Sequence, residues 1–116
     1  MFSKEKFIGL DNEALGLVLG RDPLTLVQLG LESKDFYLIK LNRENFRAPN
    51  LVKVLSNNNI QFIMHYARQD LLWLKYHLKV QPKNIFCTKV ASKIARTASS
   101  FHGYKDLVRE LCGKDI

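Results

Sequence analysis

Nowhere in the 116 residues does an apolar run approach the length that crosses a bilayer. A transmembrane helix is excluded on that ground, and no membrane partner is expected. Cysteine is sparse: Cys87 and Cys112 are the pair present, without CxxC spacing. That pattern argues against both a disulfide framework and a zinc site, and free thiols are expected. The opening "MFSKEKF" has charges but no apolar core behind them, so a secretory signal is not expected and the compartment expected is the cytoplasm. No internal repeat, linker or low-complexity segment interrupts the chain. Its hydrophobic fraction of 47% and charged fraction of 25% are those of a folded globule rather than a disordered chain. The length suits one domain, residues 1–116, and hence one site.

Acid is the other scarcity. Eleven Asp and Glu face eighteen Lys and Arg, for a net charge of +7 and a pI near 9.6. From Lys75 onward nine basic residues stand against three acidic ones, which places six of the seven excess charges in the last third. Two readings are open: a basic surface kept soluble by its lysines, or a face that holds a polyanion.

Short apolar or alternating runs, "KFIGL" (6–10), "LTLVQLGL" (24–31) and "DFYLIKL" (35–41), are separated by the turn signals "GRDP" and "ESK". They predict three strands in an antiparallel meander. Pro49 then opens a helix with Leu51, Val52, Val54 and Leu55 on one side. "NIQFIMH" (59–65) predicts a strand, "RQDLLWLKYHL" (68–78) a helix, and "QPKNIF" a turn into a short strand. "CTKVASKIAR" and "GYKDLVRELCG" predict two more helices, the second closed by Gly113. The fold class expected is α/β, a mixed sheet with an antiparallel meander on one side and parallel strands with helical crossovers on the other.

Strand geometry makes one short stretch stand out. If the first strand runs on through "LDNEA", Asp11 and Glu13 share a face while Asn12 points away. Two carboxylates so close raise one another's pKa unless a cation lies between them. All-oxygen donors select Mg²⁺ or Mn²⁺ over zinc, and phosphoryl hydrolysis uses two such ions roughly 3.5 to 4 Å apart. On spacing alone a solvated turn after the strand is the better reading of the pair. Asp70, at the start of the helix after the fourth strand, becomes a third ligand if that strand lies parallel to the first. The helix dipole alone would also favour an Asp there.

"DNEALGL", "LTLVQLGL", "HYARQDLLWL" and above all "NIFCTKVASKIARTASSFHGYKDLVRELCG" resemble ribonuclease D in its short single-domain bacterial form, a DEDD-class 3′-5′ exonuclease. The likeness runs from Phe7 to near the end of the chain. It implies a ribonuclease H-like mixed sheet flanked by helices and two-metal hydrolysis of nucleotides from the 3′ end of single-stranded RNA, with DNA as a further substrate class. Asp11 and Glu13 fall on the first motif and Asp70 on the second, so the resemblance implies that these three are catalytic and hold the metals.

The third motif of that family, Tyr-x-x-x-Asp, supplies a fourth ligand, and the chain ends at "GKDI" without it. "YARQD", Tyr66 to Asp70, has the same spacing but lies too early. The activity of the chain by itself is therefore open. The alternative is a non-catalytic nucleic-acid-binding remnant or one half of a split exonuclease, with a complementing C-terminal fragment or self-association as its partner.

For the nucleic acid, Lys89, Lys93 and Arg96 predict a basic stripe along one helix face, with Val90, Ala91 and Ile94 on another. A merely solvated face reads equally well. His65 is a candidate phosphate contact or a polar structural residue. The resemblance puts Leu15 and Gly16 beside the terminal base, where a glycine permits close backbone approach. Trp73 and Phe62, at apolar positions, are assigned to the core.

Overall fold

The computed structural model describes residues 2–116. A short 3₁₀ turn leads into β1 (Phe7–Ala14), followed by β2 (Leu24–Leu31), β3 (Phe36–Lys40), α1 (Pro49–Leu55), β4 (Gln61–Met64), α2 (Ala67–Leu78), β5 (Ile85–Cys87), α3 (Thr88–Ala95) and α4 (Tyr104–Leu107). The order agrees with the sequence reading. The strands form one sheet, β3-β2-β1-β4-β5. The β1–β2 and β2–β3 pairs are antiparallel, as two tight connections require, and β1–β4 and β4–β5 are parallel, as helical crossovers require.

Alternation decides which face is covered. Ile8 and Leu10 of β1, Val27 and Leu29 of β2, and Phe62 and Met64 of β4 are buried against Leu51 and Leu55 of α1 and Trp73, Leu74 and Leu78 of α2. Pro49 sits at the first positions of α1, where its missing N–H is no loss. The opposite face is open: Gly9, Gly30, Phe36, Leu38 and Ile63 line a cavity of about 560 Å³ that also reaches Asp11. Phe36 is 73% and Leu38 61% exposed there. This differs from the two-sided cover usual for parallel strands.

The C-terminal third departs from regular helices. After Leu107 the chain widens into a π-helical turn, Val108–Cys112, closed by Gly113 in the left-handed conformation at φ 67°. In α3 the apolar residues Val90 and Ile94 are exposed at 54% and 73%, whereas Ser92 is buried. The hydroxyl of Ser92 is satisfied by His102 Nδ1 at 2.8 Å and by Arg96 Nη1 at 2.9 Å. Cys87 and Cys112 are free thiols. Among the described residues, no helix is long and apolar enough to cross a membrane.

Candidate active site

β1 runs past Leu10 to Ala14, so the two acids stand on the strand itself. Asp11 and Glu13 are exposed on the face opposite Ile8 and Leu10. Between them Asn12 points to the helical side, and its amide donates to the backbone carbonyl of Asp70 at 3.2 Å. One strand thus presents two carboxylates outward and grips the first turn of α2 with the residue between.

The pairing with β2 slips beside Glu13. Glu13 opposes Leu26 and Ala14 opposes Leu24, leaving Thr25 as the extra residue of a bulge. The hydroxyl of Thr25 donates to the backbone carbonyl of Glu13 at 3.0 Å. The bulge bends β2 at this point, and the Thr25 hydroxyl ties it to the Glu13 backbone. A trace of the bulge shows in "LTLVQLGL", where apolar Leu26 and Val27 are adjacent and the buried positions step from Leu24 to Val27 before alternation resumes at Leu29.

Asp70 lies in the first turn of α2, half-buried. Burial, then the negative charge of Asp11, a hydrogen bond with the Asp11 carboxyl, and the charge of Glu13 push its carboxyl up to about 7. The shift occurs despite a helix N-terminus, which by itself favours the anion. Asp70 and Asp11 therefore meet, and Glu13 is near enough to act through its charge. A proton held between two carboxyls marks a place where a hard cation can take over neutralisation. The donor chemistry fits Mg²⁺ or Mn²⁺. In number the fit is incomplete: among the described residues, no three His, Cys, Asp or Glu side chains gather as one ligand set.

Next along the rim, His65 follows the end of β4 and lines the same cavity as Asp11. Its Nδ1 lies 2.9 Å from Thr88 Oγ1, which in turn donates to the carbonyl of Met64 at 3.2 Å. Burial, and then the positive charge of Lys89, hold His65 below its ordinary pKa. Thr88 is a rim residue that sequence reasoning missed; its position follows from the parallel β4–β5 pairing rather than from any local motif.

The basic stripe on α3 is uneven. Lys89 is half-buried beside the Tyr66 ring, and Lys93 is exposed. Arg96 departs from the stripe: its guanidinium pairs with Glu110 and donates to Ser92 Oγ and the carbonyl of Phe101. Leu15 is 60% exposed. Gly16 has an internal reason to be glycine, since a Cβ there would lie 2.2 Å from Asp22 Oδ2. That carboxylate accepts from the Val18 amide at 2.9 Å and from Arg21.

Comparison with known proteins bears on the whole chain. Ribonuclease D of Xanthomonas oryzae pv. oryzae is 31% identical over 106 residues, covering 91% of this chain and 28% of that protein. Among solved structures, NrnC of Brucella melitensis bound to pGG superposes with a TM-score of 0.93 at 36% identity, covering 98% of this chain and 56% of that one. NrnC with bound Mg²⁺ gives the same score and identity over 98% and 57%. The exonuclease domain of Aedes aegypti Nibbler, at 16% identity and a TM-score of 0.79, shares the fold over 98% of this chain and 62% of that one. The chain thus spans little more than half of the NrnC structures and under a third of ribonuclease D. A family model described as 3′-5′ exonuclease matches residues 1–116. An acid-bearing first strand, a parallel fourth strand and a helix that returns Asp70 to Asp11 are laid out over that same span, and this chain belongs to the 3′-5′ exonuclease family.

Proposed function

We propose that the chain carries the catalytic rim of a 3′-5′ exoribonuclease, with Asp11, Glu13 and Asp70 as the acids that hold Mg²⁺ or Mn²⁺. The observation that carries this reading is the contact between Asp11 and Asp70, two exonuclease-motif acids brought together from distant parts of the chain. The divalent ions, when bound, would supply an activated water and neutralise charge on the leaving oxygen. The chain's own residues bind and orient. Asp11 and Asp70 present oxygen donors, Asn12 fixes the turn that carries Asp70, and Thr25 fixes the backbone of Glu13.

The proposed substrate is the 3′ end of single-stranded RNA, and the NrnC structure with pGG supports it. His65, Lys89 and Lys93 are the proposed phosphate contacts, with Leu15 and the Gly16 backbone beside the terminal base. The compartment proposed is the cytoplasm, a reading with which the free thiols are consistent.

The test is a 5′-labelled single-stranded RNA incubated with the chain in Mn²⁺. A ladder shortened from the 3′ end, abolished by Asp11→Asn and by chelation, is expected. Equal product from the Asp11→Asn protein would overturn the assignment.

A second reading is favoured by the apolar surface left open. Besides the bare sheet face, a cavity of about 530 Å³ between α3 and the C-terminal turn is lined by Phe86, Ala91, Leu107, Val108 and Leu111, with Leu111 71% exposed. Under this reading the chain binds nucleic acid and cuts only once a complementing segment covers these faces. Inactivity alone, with cleavage restored by adding a polypeptide that carries Tyr-x-x-x-Asp, is its signature.

A further inference from the structure

Lys89 is the second residue of α3, in the turn where the helix dipole disfavours a cation, and that turn contains no acid. Among the described residues no acid pairs with it. Its ammonium instead lies 4.2 Å from the centroid of the Tyr66 ring. A ring in that position attracts the cation without consuming its N–H donors, as an acid would.

Tyr66 is itself held in an uncommon state. It caps α2 in the left-handed conformation, φ 60° and ψ 55°, a region that a non-glycine residue occupies only at an energetic cost. The turn is fastened by the Ala67 amide, which donates to Cys87 Sγ at 3.5 Å. The ring is 46% exposed and lies at the rim rather than in the core.

Parallel pairing sets where this unit stands. The C-terminal ends of β1, β4 and β5 lie side by side and carry, in order across the rim, Asp11, then His65 and Tyr66, then Thr88 and Lys89. β5, which leads into Lys89, lies two strands from β1, so the backbones that carry Lys89 and Asp11 stand roughly 10 Å apart. A lysine rooted that far along the rim suits the next phosphate of the same strand rather than one seated between Asp11 and Asp70.

We infer that Tyr66 is a positioning residue for Lys89, and that the pair forms a subsite for the phosphate one nucleotide inward from the 3′ end. The inference rests on the exonuclease reading of the carboxylate rim and adds to it a contact that acts on binding rather than on the reacting atoms.

The test is fluorescence anisotropy of a short labelled single-stranded RNA with the full chain, metal chelated so that no cleavage intervenes. Lys89→Met should weaken binding several-fold and make the slope of log affinity against log salt shallower by about 0.7, the value of one phosphate contact on a single strand. Tyr66→Leu should weaken it about two- to fivefold, the range of an exposed cation–π contact. Tyr66→Phe, which keeps the ring, should bind as the unmodified chain does, and Tyr66→Leu placed on Lys89→Met should add nothing further. A competing dinucleotide whose one phosphate is the scissile one should be blind to both substitutions, and a trinucleotide should feel them.

Unchanged binding by Lys89→Met and Tyr66→Leu overturns the inference and leaves the nuclease reading intact, as does an equal effect on the dinucleotide. Loss in Tyr66→Leu that persists in full without Lys89 overturns it too. If the unmodified chain binds no RNA, both fall together. Should Tyr66→Leu fail to fold, Lys89→Met and the dinucleotide comparison decide alone.

Discussion

The side-chain amide of Asn12 donates to the backbone carbonyl of Asp70 at 3.2 Å, bridging 58 residues and joining the strand that bears Asp11 and Glu13 to the helix that bears the third acid. The contact is part-buried and neutral, and its worth is about 0.5 to 1.5 kcal/mol. Asn12→Ala should lower stability by that amount in a denaturant melt. It should also let the first turn of α2 move away from β1, so that the Asp70 carboxyl returns toward its ordinary value. Carboxyl-carbon NMR titration reads that shift directly; an unmoved Asp70 in Asn12→Ala would show that the bridge is not what holds the two acids together.

The elevated Asp70 carboxyl has a signed consequence for stability. Its folded pKa of about 7 lies above the ordinary 3.8, so between these values the folded chain holds a proton that the unfolded chain releases. Its contribution is full below about pH 4 and is lost as pH rises through 7, when ionised Asp70 faces Asp11. His65 works oppositely: its lowered pKa adds stability as pH rises through the ordinary value of 6.5. The Asp22 carboxyl, brought down to about 2 chiefly by its bond to Arg21, changes its contribution only in strong acid. Subtracting the melting curve of Asp70→Asn therefore isolates the acid pair. Without divalent ions, the advantage of the native chain over Asp70→Asn should shrink from pH 5 to pH 8. Adding Mn²⁺ at pH 8 should restore it, and should do little at pH 5, where the proton already occupies the pair.

How much of this could be read from the sequence depends on the range of the interaction concerned. Ile8 and Leu10 alternate with Gly9 and Asp11, so period two alone puts Asp11 and Glu13 on one face once β1 extends to Ala14. The arrival of Asp70 needed the parallel pairing of β1 with β4; the order of elements implied parallel strands with helical crossovers, but no local pattern names β1 as the neighbour of β4. The left-handed Tyr66 leaves no trace in residue type, being imposed by neighbouring elements, whereas the bulge at Thr25 shows as a phase shift at the adjacent apolar pair Leu26 and Val27. The exposed Val90 and Ile94 read as a core face by periodicity; the structure leaves them open because no described element packs over them.

Gly16 illustrates a residue whose identity has a cause other than the one expected. A methyl group there would collide with the Asp22 carboxylate, which closes the turn by accepting from the Val18 amide. Gly16→Ala should therefore open the turn after β1 at a cost of about 1 kcal/mol, roughly that of the hydrogen bond displaced. Asp22→Ser, shorter and still an acceptor, should tolerate Ala at position 16 better than Asp22 does. A double-mutant cycle on thermal stability checks this, and additive losses would separate the two residues.

Arg96 gives the sharpest separation between a phosphate contact and a structural clamp. Its guanidinium pairs with Glu110 and donates to the Ser92 hydroxyl at 2.9 Å and the Phe101 carbonyl at 3.1 Å, fastening α3 to the loop and turn that follow. Hydrogen bonds to a charged group contribute about 1.5 to 3 kcal/mol. Arg96→Ala should reduce stability within that range and loosen the segment from Phe101 to Cys112, visible as faster amide hydrogen exchange there. Because the guanidinium is already engaged, RNA affinity in the folded variant should keep its full salt dependence. Lys93→Met should do the reverse, leaving stability within about 0.5 kcal/mol and making the salt slope shallower by about 0.7. A shallower slope in Arg96→Ala would return that residue to the phosphate-tracking stripe and show that the pairing with Glu110 gives way when RNA binds.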